Sequence, residues 1–240
     1  MLTFHVRSIC AGALAAATSV LLLARGAVAQ TADDGALWAM AIAQGKFGDK
    51  DSGLDRWRWW LDVQVRYRDE AQTYDSSFFR PGVGYALNDQ FVLHLGYAFI
   101  ESDPATGDEV RENRVWQQLT WNAPVDGFTL QSRTRLEERF VVDEADTGWR
   151  LRELVKATVP LVDDKSTFLS IWDEAFWDLD DTDWGQRTGF RQNRAFAGIG
   201  QFLNEQQSMS IEVGYCNQWL DRPGEDRLNH NLLLAFFVTF

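Results

Sequence analysis

Apolar and polar residues alternate along most of the chain that follows residue 55. In "RWRWWLDVQVRYR", residues 56–68, the odd positions are aromatic or aliphatic, and the even positions are polar except for Trp60. Successive side chains of a strand point to opposite faces, so this segment has one apolar face and one polar face. The same period of two recurs in "QFVLHLGYAF", "GFTLQSRTRLEERF" and "SMSIEVGYCNQW". The pattern predicts an all-β protein built from amphipathic strands.

Most of the predicted strands are long. Soluble strands average about five or six residues, whereas strands of about nine to eleven residues tilted by about 45° cross a bilayer. These lengths favour an antiparallel, up-and-down transmembrane β-barrel of about ten strands over a soluble β-sandwich, and twelve strands are an alternative. The strands are expected near residues 56–68, 77–87, 90–100, 113–122, 127–141, 149–161, 166–177, 188–202, 207–219 and 227–240.

The connections between these strands alternate in length and differ in charge. The five longer ones include "ESDPATGDEVREN" and "DLDDTDWGQR", and together they hold eighteen acidic residues and three arginines. Short turns at one rim and longer loops at the other are typical of outer-membrane barrels. The sequence therefore predicts a barrel with one acidic rim, although the whole chain has a formal net charge of only -12.

The first 55 residues differ from the rest. Residues 1–29 have a basic start, a short apolar run and an "AVA" site, which together predict a cleaved secretory signal peptide. Cleavage would remove Cys10 and leave Cys216 alone, so no disulfide is expected within the chain. Residues 30–55 are expected to form a strand or a plug, because "ALWAMAIAQGKF" fits the alternation poorly. An even number of strands would leave this segment outside the barrel of residues 56–240.

The chain ends on the apolar stretch "LLLAFFVTF". Phe236, Val238 and Phe240 share one parity, and a terminal aromatic with apolar residues two and four positions before it resembles the assembly signal of outer-membrane barrels. We therefore expect the barrel-insertion machinery to be a partner during assembly. Leu233 and Phe237 would make the inner face of the same strand apolar, which favours a packed interior over a wide pore.

Several strand sequences resemble a known family. "RPGVGYAL", "ENRVWQQLTW", "TLQSRTRLEERF", "WDEAFWDL" and "QNRAFAGIG" are similar, in this order, to the domain of unknown function 2490 family of Gram-negative outer-membrane proteins. "GWRLRELVKA" departs from the Arg-x-Arg-Asn-Arg run expected there, because Glu153 and Leu154 interrupt it. The resemblance implies an outer-membrane barrel and no particular activity.

The polar strand faces carry many arginines, which would point into the lumen. One interpretation is a narrow pore whose arginine lining selects small anionic solutes. The other is a filled interior in which arginines and carboxylates neutralise one another, because barrels of about eight strands are just wide enough for side chains to fill. The predicted charge cluster of the lumen consists of Arg56, Arg58, Asp62, Arg66, Arg80, Arg114, Arg133, Arg135, Glu137, Arg139, Arg150, Arg152 and Glu212.

Catalytic chemistry has little support in the sequence. His94 lies mid-strand on the polar face, and His230 is on the apolar face; neither has serine and carboxylate partners at a recognisable spacing. No cofactor fingerprint or metal-ligand spacing is present. The acidic loops could bind divalent cations between lipopolysaccharide molecules, but a solvated, repulsive surface is the favoured explanation. Their charge would repel nucleic acid. We expect a non-enzymatic envelope component in contact with outer-membrane lipid and lipopolysaccharide; the anion pore and, less favoured, a lipid-modifying enzyme are the alternatives.

Overall fold

The computed structural model describes residues 32–240, with their side chains from residue 35 onward. These residues form eleven strands and one turn of 3₁₀ helix at Lys50–Ser52. No helix in the described residues is long and apolar enough to span a membrane. The strands are β1 (Ala32–Lys46), β2 (Trp57–Arg68), β3 (Thr73–Ala86), β4 (Phe91–Ser102), β5 (Val110–Val125), β6 (Phe128–Val141), β7 (Thr147–Pro160), β8 (Thr167–Asp178), β9 (Gly189–Phe202), β10 (Met209–Leu220) and β11 (Arg227–Thr239).

The strands close into a single barrel in chain order, with β1 between β2 and β11. The barrel predicted from the sequence is confirmed, and the additional strand comes from the segment whose placement was left open. Neighbouring strands of a meander alternate in direction, so an odd number forces one parallel pair. That pair is β1 with β11, in which Trp38 lies opposite Leu233, and all other neighbours are antiparallel. The parity argument against an eleventh strand was therefore wrong, and the sheet is mixed at this one seam.

The connections lie at two rims that differ in charge more than in length. Residues 69–72, 103–109, 142–146, 179–188 and 221–226 form one rim, which we call the acidic rim, with fourteen acidic residues and two arginines. Residues 47–56, 87–90, 126–127, 161–166 and 203–208 form the opposite rim, with eight acidic and three basic residues. The contrast in length is smaller than predicted, because β3 begins at Thr73 and the connection between β1 and β2 contains ten residues.

The outer face of the barrel is an apolar band with aromatic pairs at both edges. Leucine, isoleucine and valine side chains of nearly every strand are exposed along its middle, and Leu95 retains 53% of its accessible surface. Aromatic rings contact one another at the edge near the acidic rim, where the ring centre of Phe190 lies 5.6 Å from that of Trp177 and 5.4 Å from that of Trp219. At the other edge, Trp57 packs against Tyr85, Trp59 against Phe240 and Phe91 against Trp121.

One part of the interior is an apolar cluster to which β1, β11 and six other strands contribute side chains. It comprises two groups of buried side chains that share Met40 and Phe237, and we refer to both together as the apolar plug. Trp116 reaches this position only because Gly82 and Gly96 lie beneath its ring. A Cβ atom at Gly96 would lie 2.1 Å from the indole. The buried members of the plug are Trp38, Ile42, Trp60, Phe78, Ala98, Ile100, Trp116, Phe196, Cys216, Leu233 and Ala235.

The C-terminal strand has the orientation predicted from its parity. Leu233 and Ala235 are buried in the lumen, whereas Leu232 and Leu234 are exposed on the outer face. The backbone N–H of Phe240 donates to the carbonyl of Gln44 in β1 at 2.9 Å, so the last residue is attached to the seam. The predicted signal peptide, residues 1–29, lies outside the described residues.

Candidate functional site: the charged lumen

Eleven of the thirteen residues predicted for the lumen lie there. They come from β2, β3, β5, β6, β7 and β10. The buried members of this set expose at most 8% of their accessible surface. Arg56 and Arg58 do not join them: Arg56 donates to the carbonyls of Ala86 and Leu87 at the opposite rim, and Arg58 donates to the carbonyl of Trp57. The eleven are Asp62, Arg66, Arg80, Arg114, Arg133, Arg135, Glu137, Arg139, Arg150, Arg152 and Glu212.

The strongest ion pairs begin near the acidic rim at Glu112. Both oxygens of this carboxylate accept from Arg114, at 2.7 and 2.9 Å. Both also accept from Arg139 of the neighbouring strand, at 2.6 and 3.0 Å. Bidentate pairing of this kind fixes the planes of the guanidinium groups as well as their charge.

The pairing continues through Glu137 and Glu174. Glu137 accepts from Arg114 at 2.9 Å and from Arg152 at 2.6 Å. Arg152 also donates to Glu174 at 2.6 and 3.0 Å, and Arg133 donates to the same carboxylate at 2.7 Å. One continuous network of hydrogen-bonded charges therefore crosses β5, β6, β7 and β8.

Smaller ion pairs lie around this network. Arg80 contacts Asp62 at 2.7 Å between β3 and β2. Lys156 donates to Glu212 across the lumen at 2.6 Å, and that carboxylate also accepts from Ser170. Arg150 contacts Asp178 at 2.6 Å. All these carboxylates are buried, and each has a cationic partner.

Five charged residues of the lumen were absent from the predicted set. Glu112 and Asp178 were assigned to loops, because the strands extend farther toward the acidic rim than their alternation indicated. Glu174 shares the inward parity of Phe176 on β8. Lys156 and Arg194 also have the inward parity, within strands that were predicted. Applying the alternation along the whole length of every strand, including the longer ends of β5 and β8, would have found all five. Among residues 35–240, six buried carboxylates face ten cationic side chains, so this part of the chain gives the lumen a positive excess.

A cavity of about 360 Å³ opens between the charged network and the acidic rim. Its wall includes Arg66, Arg80, Arg152 and Arg194, and no residue of the opposite rim belongs to it. Side chains below this level, such as Trp116 and Arg135, are at most 1% exposed. The lumen is therefore a pocket that is open at one end.

Two arginines of this cavity share one aromatic ring. The guanidinium carbon of Arg66 lies 4.0 Å from the centre of the Trp38 ring, and that of Arg194 lies 4.9 Å from it. Each also lies against a phenylalanine, Phe78 at 4.3 Å and Phe176 at 4.7 Å. Cation–π contacts are worth most when they are desolvated, which is the case for these buried rings.

Loop 179–188 of the acidic rim covers one side of the lumen mouth. Its Gln186 is buried, accepts from Arg139 at 2.9 Å and donates to the carbonyl of Trp149 at 3.2 Å. Asp181 anchors the far end of the loop, where the backbone N–H of Thr188 donates to it at 2.7 Å. This hydrogen bond, assisted by the Thr188 side chain, lowers the pKa of Asp181. The loop is thus bonded to the charged network.

The two histidines considered for catalysis differ in position: one is buried, and the other faces outward. His94 is 4% exposed, its ring meets Trp60 edge-on at 5.7 Å, and its Nδ1 atom has no hydrogen-bond partner. His230 faces outward and is hydrogen-bonded to Tyr215. In the part of the chain that the structure describes, no three His, Cys, Asp or Glu side chains are grouped closely enough to hold a metal ion.

These features define a closed β-barrel with an apolar exterior and a charged interior. The family model for a "Protein of unknown function (DUF2490)" matches residues 35–229, and the chain belongs to this family. An uncharacterised protein of Methylorubrum extorquens is 35% identical over 228 residues, which cover 92% of this chain and 96% of that protein. No solved structure matches the chain.

The two residues that interrupt the arginine run expected for the family, Glu153 and Leu154, lie on opposite faces of β7. Glu153 accepts from Ser132, whereas Leu154 is buried.

Proposed function

We propose that this protein is an outer-membrane β-barrel that neither conducts nor catalyses, and that it is a structural component of the bacterial envelope. The observation that carries this proposal is the outer surface. An apolar band runs around the barrel between two sets of aromatic rings, as in barrels whose strands contact lipid. The strands contain twelve to sixteen residues, more than the roughly nine to eleven needed to cross a bilayer.

The partners follow from this placement. The apolar band would contact outer-membrane lipid, and the acidic rim would lie among lipopolysaccharide headgroups. Export would require the signal peptide of residues 1–29. Phe236, Val238 and Phe240 would be recognised by the barrel-insertion machinery before β11 pairs with β1. The negative charge of the acidic rim argues against nucleic acid as a partner.

The filled lumen favours a structural role over the narrow anion pore. A conducting pore requires a continuous aqueous path, whereas the cavity here ends above the apolar plug and the buried Arg135. A lipid-modifying enzyme has less support, because His94 is enclosed in the wall beside Trp60.

Conductance in planar bilayers tests the closed lumen. Refolded protein should give no current steps above background, because the plug blocks the path. A variant with Trp38→Ala, Met40→Ala and Ile42→Ala shortens three plug side chains of one strand and should give steps. Protection of the strands from added protease verifies that both proteins are inserted. Discrete anion-selective steps from the wild type that decrease in Arg135→Ala would instead establish the pore.

A further inference from the structure

We propose that the cavity beneath the acidic rim binds a small oxyanion, a phosphate or carboxylate group of a free solute, between Arg66 and Arg194. This binding site goes beyond the structural role proposed above and does not depend on it. Among the described residues, neither guanidinium group is hydrogen-bonded to a carboxylate, and both line the cavity.

Arg66 has no carboxylate within 4 Å among the described residues. Its only hydrogen bond to a side chain runs from Nη2 to the amide oxygen of Gln64 at 3.0 Å. Its Nε atom is buried and has no hydrogen-bond partner, and only 8% of the residue's accessible surface is exposed. A buried charge without a counter-ion is costly, and every other buried arginine except Arg135 bonds directly to a carboxylate.

Arg194 is the natural second contact for an anion. Its closest carboxylate oxygen, Oε2 of Glu174, is 3.8 Å away, and the other oxygen of this carboxylate accepts from Arg152 and Arg133. With the Gln192 amide turned so that its oxygen faces Arg194, this oxygen accepts from Nη2 at 2.8 Å. Arg66 and Arg194 both contact the ring of Trp38 and both line the cavity, so we place the oxyanion between them.

Arg135 offers no such site, although it too lacks a close carboxylate. Two of its nitrogens donate to Gln118, at 2.9 and 2.6 Å, and Glu137 lies 3.7 Å away. At 1% exposure it does not belong to the cavity wall. Of the two buried arginines in the described residues that lack a close carboxylate, only Arg66 lines the cavity and has a donor atom without a partner.

The size and lining of the cavity indicate the ligand class. A volume of about 360 Å³ lies at the lower end of the range for small-ligand pockets, about 300–1,000 Å³. The carboxylates in its wall are Asp75, near the rim, and Glu112, which Arg114 and Arg139 already neutralise. Guanidinium groups match phosphate and carboxylate oxygens with paired N–H donors. Acidic loops at the mouth would slow the entry of an anion, but salt screens them over about 8 Å at physiological ionic strength.

Isothermal titration calorimetry in detergent micelles tests the site, with inorganic phosphate, acetate and lipopolysaccharide as probes in separate titrations. Phosphate should bind at one site per chain. Arg66→Gln and Arg194→Gln should each weaken binding by about ten- to hundredfold, because each removes a charged hydrogen-bond donor. Arg56→Gln, which changes an arginine at the opposite rim, is the matched control and should bind as the wild type does.

Unfolding by denaturant separates loss of the site from loss of the fold. Without phosphate, Arg66→Gln should be at least as stable as the wild type, because it removes a buried charge that lacks a carboxylate. Phosphate should then stabilise the wild type more than this variant at the same concentration. Arg66→Lys retains the charge without the paired donors and should bind with intermediate affinity. The proposal is wrong if folded wild type binds neither phosphate nor acetate, if the glutamine variants bind equally well, or if only lipopolysaccharide binds.

Discussion

Glu137 illustrates how single residues determine the interior. It is 1% exposed, bonds to Arg114 and Arg152, and lies 3.7 Å from Arg135. A buried ion pair adds little compared with apolar packing, but removing one partner leaves the others charged and unsatisfied. The parity of β6 predicted that Glu137 faces inward. It could not predict the partners, because these belong to β5 and β7 and depend on register.

Glu137→Gln should therefore destabilise the barrel strongly. We expect the free energy of unfolding to fall by about 3–5 kcal/mol, the usual cost of breaking a buried pair. Urea unfolding in phospholipid vesicles, followed by tryptophan fluorescence, measures it. Glu138→Gln is the matched control: this neighbour faces outward and should change stability by less than about 0.5 kcal/mol. Equal effects of both substitutions would contradict the inward network.

Strand β1 is the element for which the sequence supported no definite prediction. Its inward residues Trp38, Met40 and Ile42 are apolar, and its outward residues are mostly alanine, so apolar and polar positions do not alternate. The clear alternation of β2, β4, β6 and β10 made those strands predictable. Of the two alternatives considered for residues 30–55, the structure has a strand over Ala32–Lys46, and its inward side chains belong to the apolar plug.

Packing between strands is tested most sharply where Trp116 lies on glycine. In Gly96→Ala the new methyl group would meet the indole at 2.1 Å and the carbonyl of Pro81 at 2.5 Å. Overpacking of this kind typically costs about 1–3 kcal/mol. Gly35→Ala is the control, because its methyl group would meet Glu70 at an ordinary 3.7 Å. The same unfolding assay should separate the two variants, and an unchanged stability for Gly96→Ala would show that the ring packs elsewhere.

At the scale of the whole molecule, the barrel has two unlike surfaces and two unlike ends. The outside is an apolar band, and the inside combines a charged network with an apolar plug. The cavity opens at the acidic rim and ends at the plug. The sequence predicted the barrel, the charged interior and the acidic rim. The sequence could not predict the seam between β1 and β11 or the position of the cavity, because both depend on how the barrel closes.

The orientation of the apolar band toward lipid is the central claim, and site-directed spin labelling in phospholipid vesicles tests it most directly. Labels would replace Leu95, Val155 and Val213 on the outer face and Ala105 in the acidic rim, in a Cys216→Ala background. The three outer positions should be accessible to oxygen, which dissolves in lipid, and shielded from a water-soluble nickel complex; Ala105 should show the reverse. Access of the nickel complex to all four positions would contradict a membrane-spanning barrel.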